Sequence, residues 1–298
     1  MKIELTSDEN KKLITADGDP LILFEERPLM MLRAIKLVSG SGFDLQGAVY
    51  KAILEKESLL SKVDVNGIRA EFEEIIIAEH AGKGLKMLVG TGLIKHIIGE
   101  LAENMSKGES EQFTGLTENI DVTKRIRERR LGLVYICFGK DNAFDAIEIL
   151  NFDMKTERLL KFAVRYIEKI NFLATTYEFK QFIARHGMER YEFIHNLSKS
   201  RRMVYDLDDA KIKSRHYILE YIEDNNEPIF IEDMNITRDD LLMHNITSEE
   251  KVDELLMTLL DVVHRNPRLN TKKALLANAE EYAKNSLQSI LRKVRLFR

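Results

Sequence analysis

The stretch that decides the fold runs from residue 20 to residue 43 and reads Pro-Leu-Ile-Leu-Phe-Glu-Glu-Arg-Pro-Leu-Met-Met-Leu-Arg-Ala-Ile-Lys-Leu-Val-Ser-Gly-Ser-Gly-Phe. Leu29, Leu32 and Ile35 recur at the three- and four-residue spacing that places apolar side chains on one face of a helix. Because proline is favoured in the first turn of a helix, the helix is predicted to begin at Pro28. It is predicted to end in the Ser-Gly-Ser-Gly-Phe turn of residues 39–43.

Helical periodicity continues through most of the remaining chain, and it predicts an all-α fold, an elongated irregular array of helices. Residues 1–15 contain two short apolar alternations around a polar turn, which allows a small N-terminal β-hairpin. The polar segment 104–117 contains Gly and Ser and is predicted to be a linker. One long helix is predicted over 199–222, and a break in the chain over 225–228.

The composition fits a helix-rich globular protein and excludes several other classes. The net charge is −4 over 298 residues, so the chain has no global basic field and any contact with nucleic acid must be local. The one cysteine, Cys137, excludes a disulfide framework, and its apolar neighbours predict a buried thiol. Since no apolar run approaches the roughly 18 residues of a membrane span, a cytoplasmic location is expected.

Three motifs in the first third of the chain carry a resemblance to a known family. They are Phe24, Glu26 and Pro28 followed by Met31-Leu32-Arg33-Ala34; Ile68-Arg69 followed by Glu71-Phe72; and Gly84-Leu85-Lys86-Met87-Leu88 followed by Thr91-Gly92-Leu93. Residues 12–98 thereby resemble the tRNA nucleotidyltransferase (CCA-adding enzyme) and bacterial poly(A) polymerase family. A looser similarity continues through 212–241 and 270–276.

The resemblance implies the neck, body and tail of a class II tRNA nucleotidyltransferase. The implied segments are a remnant of the head–neck junction at 1–24, a neck at 25–103, a body at 118–223 and a tail at 229–298. The family's catalytic head would lie upstream of residue 12, so the chain is expected to lack it. The Gly-Ser turn and the acidic residues that bind the triphosphate and two metal ions belong to that head.

A nucleotide-binding remnant is expected around the start of the predicted helix. The resemblance implies an Asp and an Arg, three residues apart, that pair with the incoming base. Arg27 and Met30 occupy those positions, so a donor replaces the carboxylate acceptor and a thioether replaces the guanidinium. Glu26 and Arg33 are retained, and they are expected to pair with each other or to hold the helix.

No catalytic residue, metal site or cofactor is predicted in this chain. Asp206, Asp208 and Asp209 have the spacing of metal-binding carboxylates, but they are interpreted as the solvated face of a helix. The isolated chain is therefore expected not to be an enzyme. With a catalytic head in trans, its activity would be nucleotidyl transfer of the CCA-adding or poly(A) polymerase type.

Local basic clusters predict binding of tRNA or another structured RNA through phosphate contacts. The favoured cluster matches a Lys-Ser-Arg segment of the family and comprises Lys211, Lys213 and Arg215. The second comprises Lys199, Arg201 and Arg202. Two further clusters lie within 124–130 and 292–298. Each cluster can also be read as a solvated helix face.

An interaction protein is the alternative interpretation. The apolar run Leu21, Ile22, Leu23 and Phe24 would lie at the edge where the head docks, and it is expected to be exposed there. Exposed apolar patches commonly bind a partner, so this edge would bind another protein or a second copy of the chain. A regulatory paralogue, or the C-terminal half of a split enzyme, would fit this alternative.

Overall fold

The structure is a computed structural model that describes residues 4–296, with side chains described up to residue 285. Helices dominate this part of the chain, which confirms the predicted all-α class. The chain forms two compact units. Unit 1 comprises the described residues up to Ile170 together with Phe193–Asp209, and unit 2 comprises Asn171–Glu192 and the described residues from Ala210 onward. The four segments expected from the sequence stay predictions.

The N-terminal hairpin allowed by the sequence is present. Strand β1 (Glu4–Asp8) pairs antiparallel with β2 (Leu13–Asp17), with Glu4 opposite Asp17 and Asp8 opposite Leu13. A two-residue strand, β3 (Asp44–Leu45), adds to β2 in parallel. The small sheet thereby connects the hairpin to the chain that follows the helix of residues 30–41.

Unit 1 contains helices α1 to α11. In chain order they span Pro20–Glu26, Met30–Ser41, Gly47–Lys56, Val65–Ile77, Ala81–Gly90, Lys95–Ile98, Leu101–Asn104, Lys107–Asn119, Arg127–Tyr135, Lys140–Ile149 and Met154–Tyr166. Helix α13 (Met188–Tyr205) begins in unit 2 and continues into unit 1. Short 3₁₀ segments lie at Glu57–Lys62, Ile120–Val122, Lys169–Phe172, Ile231–Asp233 and Pro267–Leu269.

The segment 20–43 forms two helices rather than one that begins at Pro28. The Asp19 carboxylate accepts a hydrogen bond from the Leu21 backbone N–H at 2.9 Å and caps α1, whose first residue is Pro20. A tight turn follows, in which the Met30 N–H donates to the Arg27 carbonyl at 2.9 Å. Helix α2 therefore begins two residues later than predicted, and it ends as predicted, because Gly42 adopts the left-handed conformation that terminates helices.

The apolar run 21–24 is not the exposed edge that the sequence suggested. Leu23 and Phe24 are fully buried, because α3 packs against α1, the helix that contains them. Only Ile22 is largely exposed, at 47% of its surface, and Leu21 is half-buried. The prediction of an uncovered apolar patch at this edge is therefore wrong.

Helix α2 is the centre of the unit 1 core in this region, packed against α4 and α5. Its buried stripe includes Met31, Leu32 and Ile35, in agreement with the predicted periodicity. The approach of α5 is very close: a Cβ on Gly84 would lie 1.9 Å from Ser39 Oγ. A side chain at position 84 would therefore force the two helices apart.

Two further predictions about helix boundaries are wrong. The predicted linker at 104–117 contains α8, which Ser106 and Glu109 begin with a reciprocal capping box. The predicted helix over 199–222 is interrupted between α13, which ends at Tyr205, and the next helix, which begins at Ala210. Asp206 lies in the left-handed region (φ 47°), which continuous helix does not permit.

Unit 2 contains α12 (Thr176–His186), α14 (Ala210–Asp224), α15 (Arg238–Met243), α16 (Val252–Arg265) and α17 (Lys272–Leu296). The apolar stripe of α16 supplies most of its core, including Leu255, Leu259 and Val263. One buried ion pair fixes α12: Lys180 Nζ lies 2.7 Å from Glu227 Oε2, and the Lys180 side chain is fully buried.

Candidate functional site

The nucleotide-binding remnant predicted around α2 contains a cluster of two cations on one carboxylate. Arg33 Nε donates to Glu71 Oε1 at 2.8 Å, and Lys36 Nζ lies 2.5 Å from Glu71 Oε2. Glu71 comes from α4, so of the two alternatives predicted for Glu26 and Arg33 the pair between them does not form, and Arg33 instead joins α2 to α4. Glu26 lies exposed at the end of α1.

Within this cluster, the carboxylate of Glu71 neutralises part of the positive charge of Arg33 and Lys36. Burial opposes ionisation of Glu71, but hydrogen bonds from Lys36 and Arg33 outweigh it and hold the pKa of the carboxyl below its ordinary value. Arg33 Nη1 also contacts the Met30 sulfur at 3.8 Å. Arg27 is half-buried at the end of α1. Two cations sharing one carboxylate leave a net charge of about +1 at the surface of α2.

The favoured basic cluster is divided between surface and interior. Lys211 and Lys213 lie exposed in the first turn of α14. Arg215 is 1% exposed, and its Nη1 donates to Asn171 Oδ1 at 2.9 Å. Burial lowers the pKa of its guanidinium. Arg215 is therefore enclosed by the fold at this position, and its contact with RNA stays a prediction.

The second cluster lies on α13 and is partly neutralised. Lys199 is exposed. Arg201 Nη1 lies 2.5 Å from Glu168 Oε1, and Arg202 Nη2 lies 4.0 Å from Asp209 Oδ2. Both guanidinium groups are half-buried. Lys199 is thus the most accessible cation of this set.

The two remaining basic clusters lie within 124–130 and 292–298. Within 124–130, Arg130 is 1% exposed, and it donates to the backbone carbonyls of Ile76 (3.0 Å), Ala78 (2.8 Å) and Thr123 (2.9 Å). It ties the end of α4 to the start of α9 and serves the fold. The side chains of the cluster within 292–298 lie outside the described residues.

A basic face on α11 was missed by the sequence reasoning, which looked for cations adjacent in sequence. The face comprises Arg158, Lys161, Arg165 and Lys169, together with Lys140 of the neighbouring helix α10. We call these five residues the α11 basic face. Arg158, Lys161, Arg165 and Lys169 are three, four and four residues apart, which is the spacing of a single helical stripe that continues just past the end of α11. This spacing is the sequence signal for the face.

An aromatic ring lies among these cations. The Phe144 ring centroid lies 5.6 Å from Lys140 Nζ, 5.7 Å from Lys161 Nζ and 5.6 Å from Arg165 Cζ. Lys169 Nζ lies 5.3 Å from the centroid of the Tyr166 ring. These distances are within the range of favourable cation–π contact.

Other kinds of site are not found in the part of the chain that the structure describes. It holds no group of three or more His, Cys, Asp or Glu side chains placed to bind a metal ion. Cys137 is buried as predicted, and burial raises the pKa of its thiol to about 12. None of the described helices combines the length and apolar character needed to cross a bilayer.

Comparison with known proteins finds a family match within unit 1. Residues 42–105 match the family described as "Probable RNA and SrmB-binding site of polymerase A". The CCA-adding enzyme of Limosilactobacillus reuteri is 37% identical over 92 residues, which cover 31% of this chain and 23% of that enzyme. The CCA-adding enzyme of Limosilactobacillus fermentum is 32% identical over 134 residues, covering 45% and 32%. The match thus spans about a quarter to a third of these relatives.

Solved structures extend the likeness of fold to nearly the whole chain. The Bacillus stearothermophilus CCA-adding enzyme in complex with CTP has a TM-score of 0.69 at 17% identity, covering 94% of this chain and 68% of that chain. A CCA-adding enzyme in complex with ATP has a TM-score of 0.57 at 14% identity, covering 95% and 64%. At these identities the likeness is one of fold.

The chain is thus a helical protein whose fold is similar to that of CCA-adding enzymes and whose residues 42–105 match a family described as a probable RNA- and SrmB-binding site. Over part of its length the chain is similar to CCA-adding enzymes, in agreement with the resemblance to the tRNA nucleotidyltransferase and poly(A) polymerase family noted for residues 12–98.

Proposed function

We propose that this chain binds tRNA or another structured RNA through exposed cations, and that it does not catalyse nucleotidyl transfer on its own. The observation that carries the proposal is the match of residues 42–105 to a family segment described as RNA-binding. The proposal includes a cytoplasmic location, where such RNA is found.

Exposed cations in the matched segment support this proposal. Lys51, Lys62 and Lys86 are exposed, and each lies more than 4.0 Å from any carboxylate in the described part of the chain. By contrast, Lys83 and Lys95 are each within 2.7 Å of a carboxylate oxygen. Cations without a carboxylate partner can contact phosphate without first breaking an ion pair.

The non-catalytic part rests on the chemistry at the start of α2. A base-pairing template needs an acceptor and a planar donor, whereas Arg27 only donates and the Met30 thioether offers no donor. Arg33, the retained guanidinium, is engaged by Glu71. The protein-interaction alternative loses its main support, because Leu23 and Phe24 are buried.

RNA binding is tested by fluorescence anisotropy with an unmodified tRNA transcript at 50 and 200 mM KCl. We expect micromolar binding at 50 mM that weakens at least tenfold at 200 mM, since displaced counterions make phosphate contacts salt-dependent. The variant Lys62→Gln/Lys86→Gln should bind several-fold more weakly than the control Lys251→Gln/Lys273→Gln, which removes two exposed lysines of unit 2. Absence of binding at 50 mM would overturn the proposal.

Catalysis is tested separately, by incorporation of labelled CTP and ATP into tRNA that lacks its 3′ end. We expect no incorporation by the purified chain. Incorporation above the no-protein control would overturn the non-catalytic part and leave the RNA-binding part intact.

A further inference from the structure

Most of the α11 basic face forms a row along one side of α11. Arg158 and Arg165 are separated by two turns, so their Cα atoms lie about 10 Å apart along the axis. Lys161 lies between them, and Lys169 continues the row past the end of α11. The row therefore presents a cation at nearly every turn on one side of unit 1.

In this row, Lys161 is the cation that pairs with carboxylates. Lys161 Nζ lies 2.6 Å from Glu148 Oε1 and 2.7 Å from Glu157 Oε1. Lys140, Arg158, Arg165 and Lys169 have no carboxylate within 4.0 Å among the described residues. Five cations against two carboxylates leave a net charge of about +3, and an anion bound here would relieve their mutual repulsion.

The Phe144 ring restricts where the cations can go. Cation–π attraction holds Lys140 and Arg165 against the ring. These long side chains are therefore already partly ordered, and they lose less conformational entropy when an anion binds. Their approach also occupies the ring, which is half-buried, so Phe144 is not a free platform on which a base could stack.

We propose that the α11 basic face binds the phosphate backbone of an RNA helix. This inference rests on the proposed RNA-binding function and adds a site outside the matched segment 42–105. The face offers a row of guanidinium and ammonium donors around the Phe144 ring, which the cations already cover, and such a row suits phosphates and not base edges. Binding here is therefore independent of base sequence and strongly dependent on salt.

The test compares the salt dependence of tRNA binding for the wild type, Arg158→Gln/Arg165→Gln/Lys169→Gln, and the control Lys251→Gln/Lys273→Gln/Lys284→Gln. Each phosphate contact contributes about 0.7 to 0.9 to the slope of log Kd against log salt. The α11 variant should lose about 2 to 3 from that slope and bind about tenfold or more weakly at 50 mM KCl. The control should change the slope by less than about 1.

The outcomes separate this inference from the proposed function. If the wild type binds and the α11 variant binds with unchanged slope and affinity, the inference fails and the proposed function stands. If the wild type does not bind, both fail. A loss confined to one of two tRNAs of unrelated sequence would contradict a backbone contact.

Two further, more conservative variants distinguish a loss of RNA contacts from a loss of folding. Arg158→Lys/Arg165→Lys keeps both charges and should retain the wild-type slope; loss of slope here would contradict the charge argument. Phe144→Leu keeps apolar volume but removes the ring, and should weaken binding by about two- to fivefold with the slope unchanged. An unchanged affinity in Phe144→Leu would overturn the role assigned to the ring. Circular dichroism checks the fold of each variant.

Discussion

Helices α2 and α11 both carry cations at helical spacing, but the two faces differ in what surrounds those cations. On α2, Glu71 reaches across from α4 and engages both Arg33 and Lys36. On α11, Arg158 and Arg165 meet no carboxylate within 4.0 Å in the described chain. A basic helix face is therefore available to an anionic ligand only where the rest of the fold brings no carboxylate to it.

Some basic residues are not available to a ligand at all, because their side chains are buried in the fold. Arg130 and Arg215 belong to clusters that read as basic surface, yet each is 1% exposed. Arg130 donates to carbonyls at the end of α4, which lie 52 and 54 residues away in sequence. The number of cations in a short window thus says little about how many can meet a ligand.

The largest effect is expected where a basic residue serves the fold. Arg130→Met leaves the carbonyls of Ile76, Ala78 and Thr123 without their donors, which should lower the free energy of unfolding by about 3 kcal/mol. Urea denaturation measures this loss. The half-buried neighbour Arg129, changed to Met, is the control and should cost less than about 1 kcal/mol. A similar loss in both variants would show that Arg130 has no special role.

An intermediate effect is expected at the closed cluster of α2. Glu71→Gln removes the charge that holds Arg33 and Lys36, and should lower the free energy of unfolding by about 1 to 2 kcal/mol. It also frees two cations, so RNA binding at 50 mM KCl should strengthen by about threefold. Weaker RNA binding by a folded Glu71→Gln protein would contradict the view that this carboxylate closes the face.

The stability difference between the wild type and Glu71→Gln should depend on pH. Hydrogen bonds hold the pKa of Glu71 in the folded protein below its value in the unfolded chain, which is about 4.3. The contribution of the ionised carboxylate is therefore fully present above about pH 5.5 and is lost as the pH falls through the folded-state pKa. Denaturation at several pH values checks this, and a difference that grows below pH 4.5 would contradict it.

The smallest effect is expected at the one neutralised member of the α11 basic face. Glu148→Gln removes one of the two partners of Lys161 and should strengthen RNA binding by about twofold. Because Glu148 is 63% exposed, the free energy of unfolding should change by less than about 0.5 kcal/mol. Asp145→Asn removes the same charge elsewhere on α10 and is the control. If RNA binding strengthened equally in Glu148→Gln and Asp145→Asn, the effect would come from the net charge of the protein and not from the pairing of Lys161.

Local patterns were enough to predict much of the fold. The stripe of Met31, Leu32 and Ile35 and the turn at Gly42 predicted α2 and its end, because both depend on neighbours in sequence. The capping pair Ser106 and Glu109, which begins α8, is also a signal local to the sequence, whereas the polar composition of 104–117 predicted a linker.

The surroundings of the candidate site residues depend on residues distant in sequence, which local patterns do not show. Arg215 donates to Asn171, 44 residues away in sequence, and Arg33 pairs with Glu71, 38 residues away, so neither contact could be predicted from the neighbouring residues. The α11 basic face was missed for a simpler reason. Its cations are spread over helical turns, and a search by helical spacing would have found them.

Footprinting of lysines in the RNA complex tests the central claim most directly. The whole chain is acetylated with a water-soluble ester, with and without saturating tRNA transcript, and each lysine is quantified by mass spectrometry. The account predicts that tRNA protects Lys140 and Lys169 several-fold, whereas Lys36 of the closed α2 cluster and the control Lys273 change by less than about 1.5-fold. Protection of Lys36 without protection of Lys140 and Lys169 would contradict it.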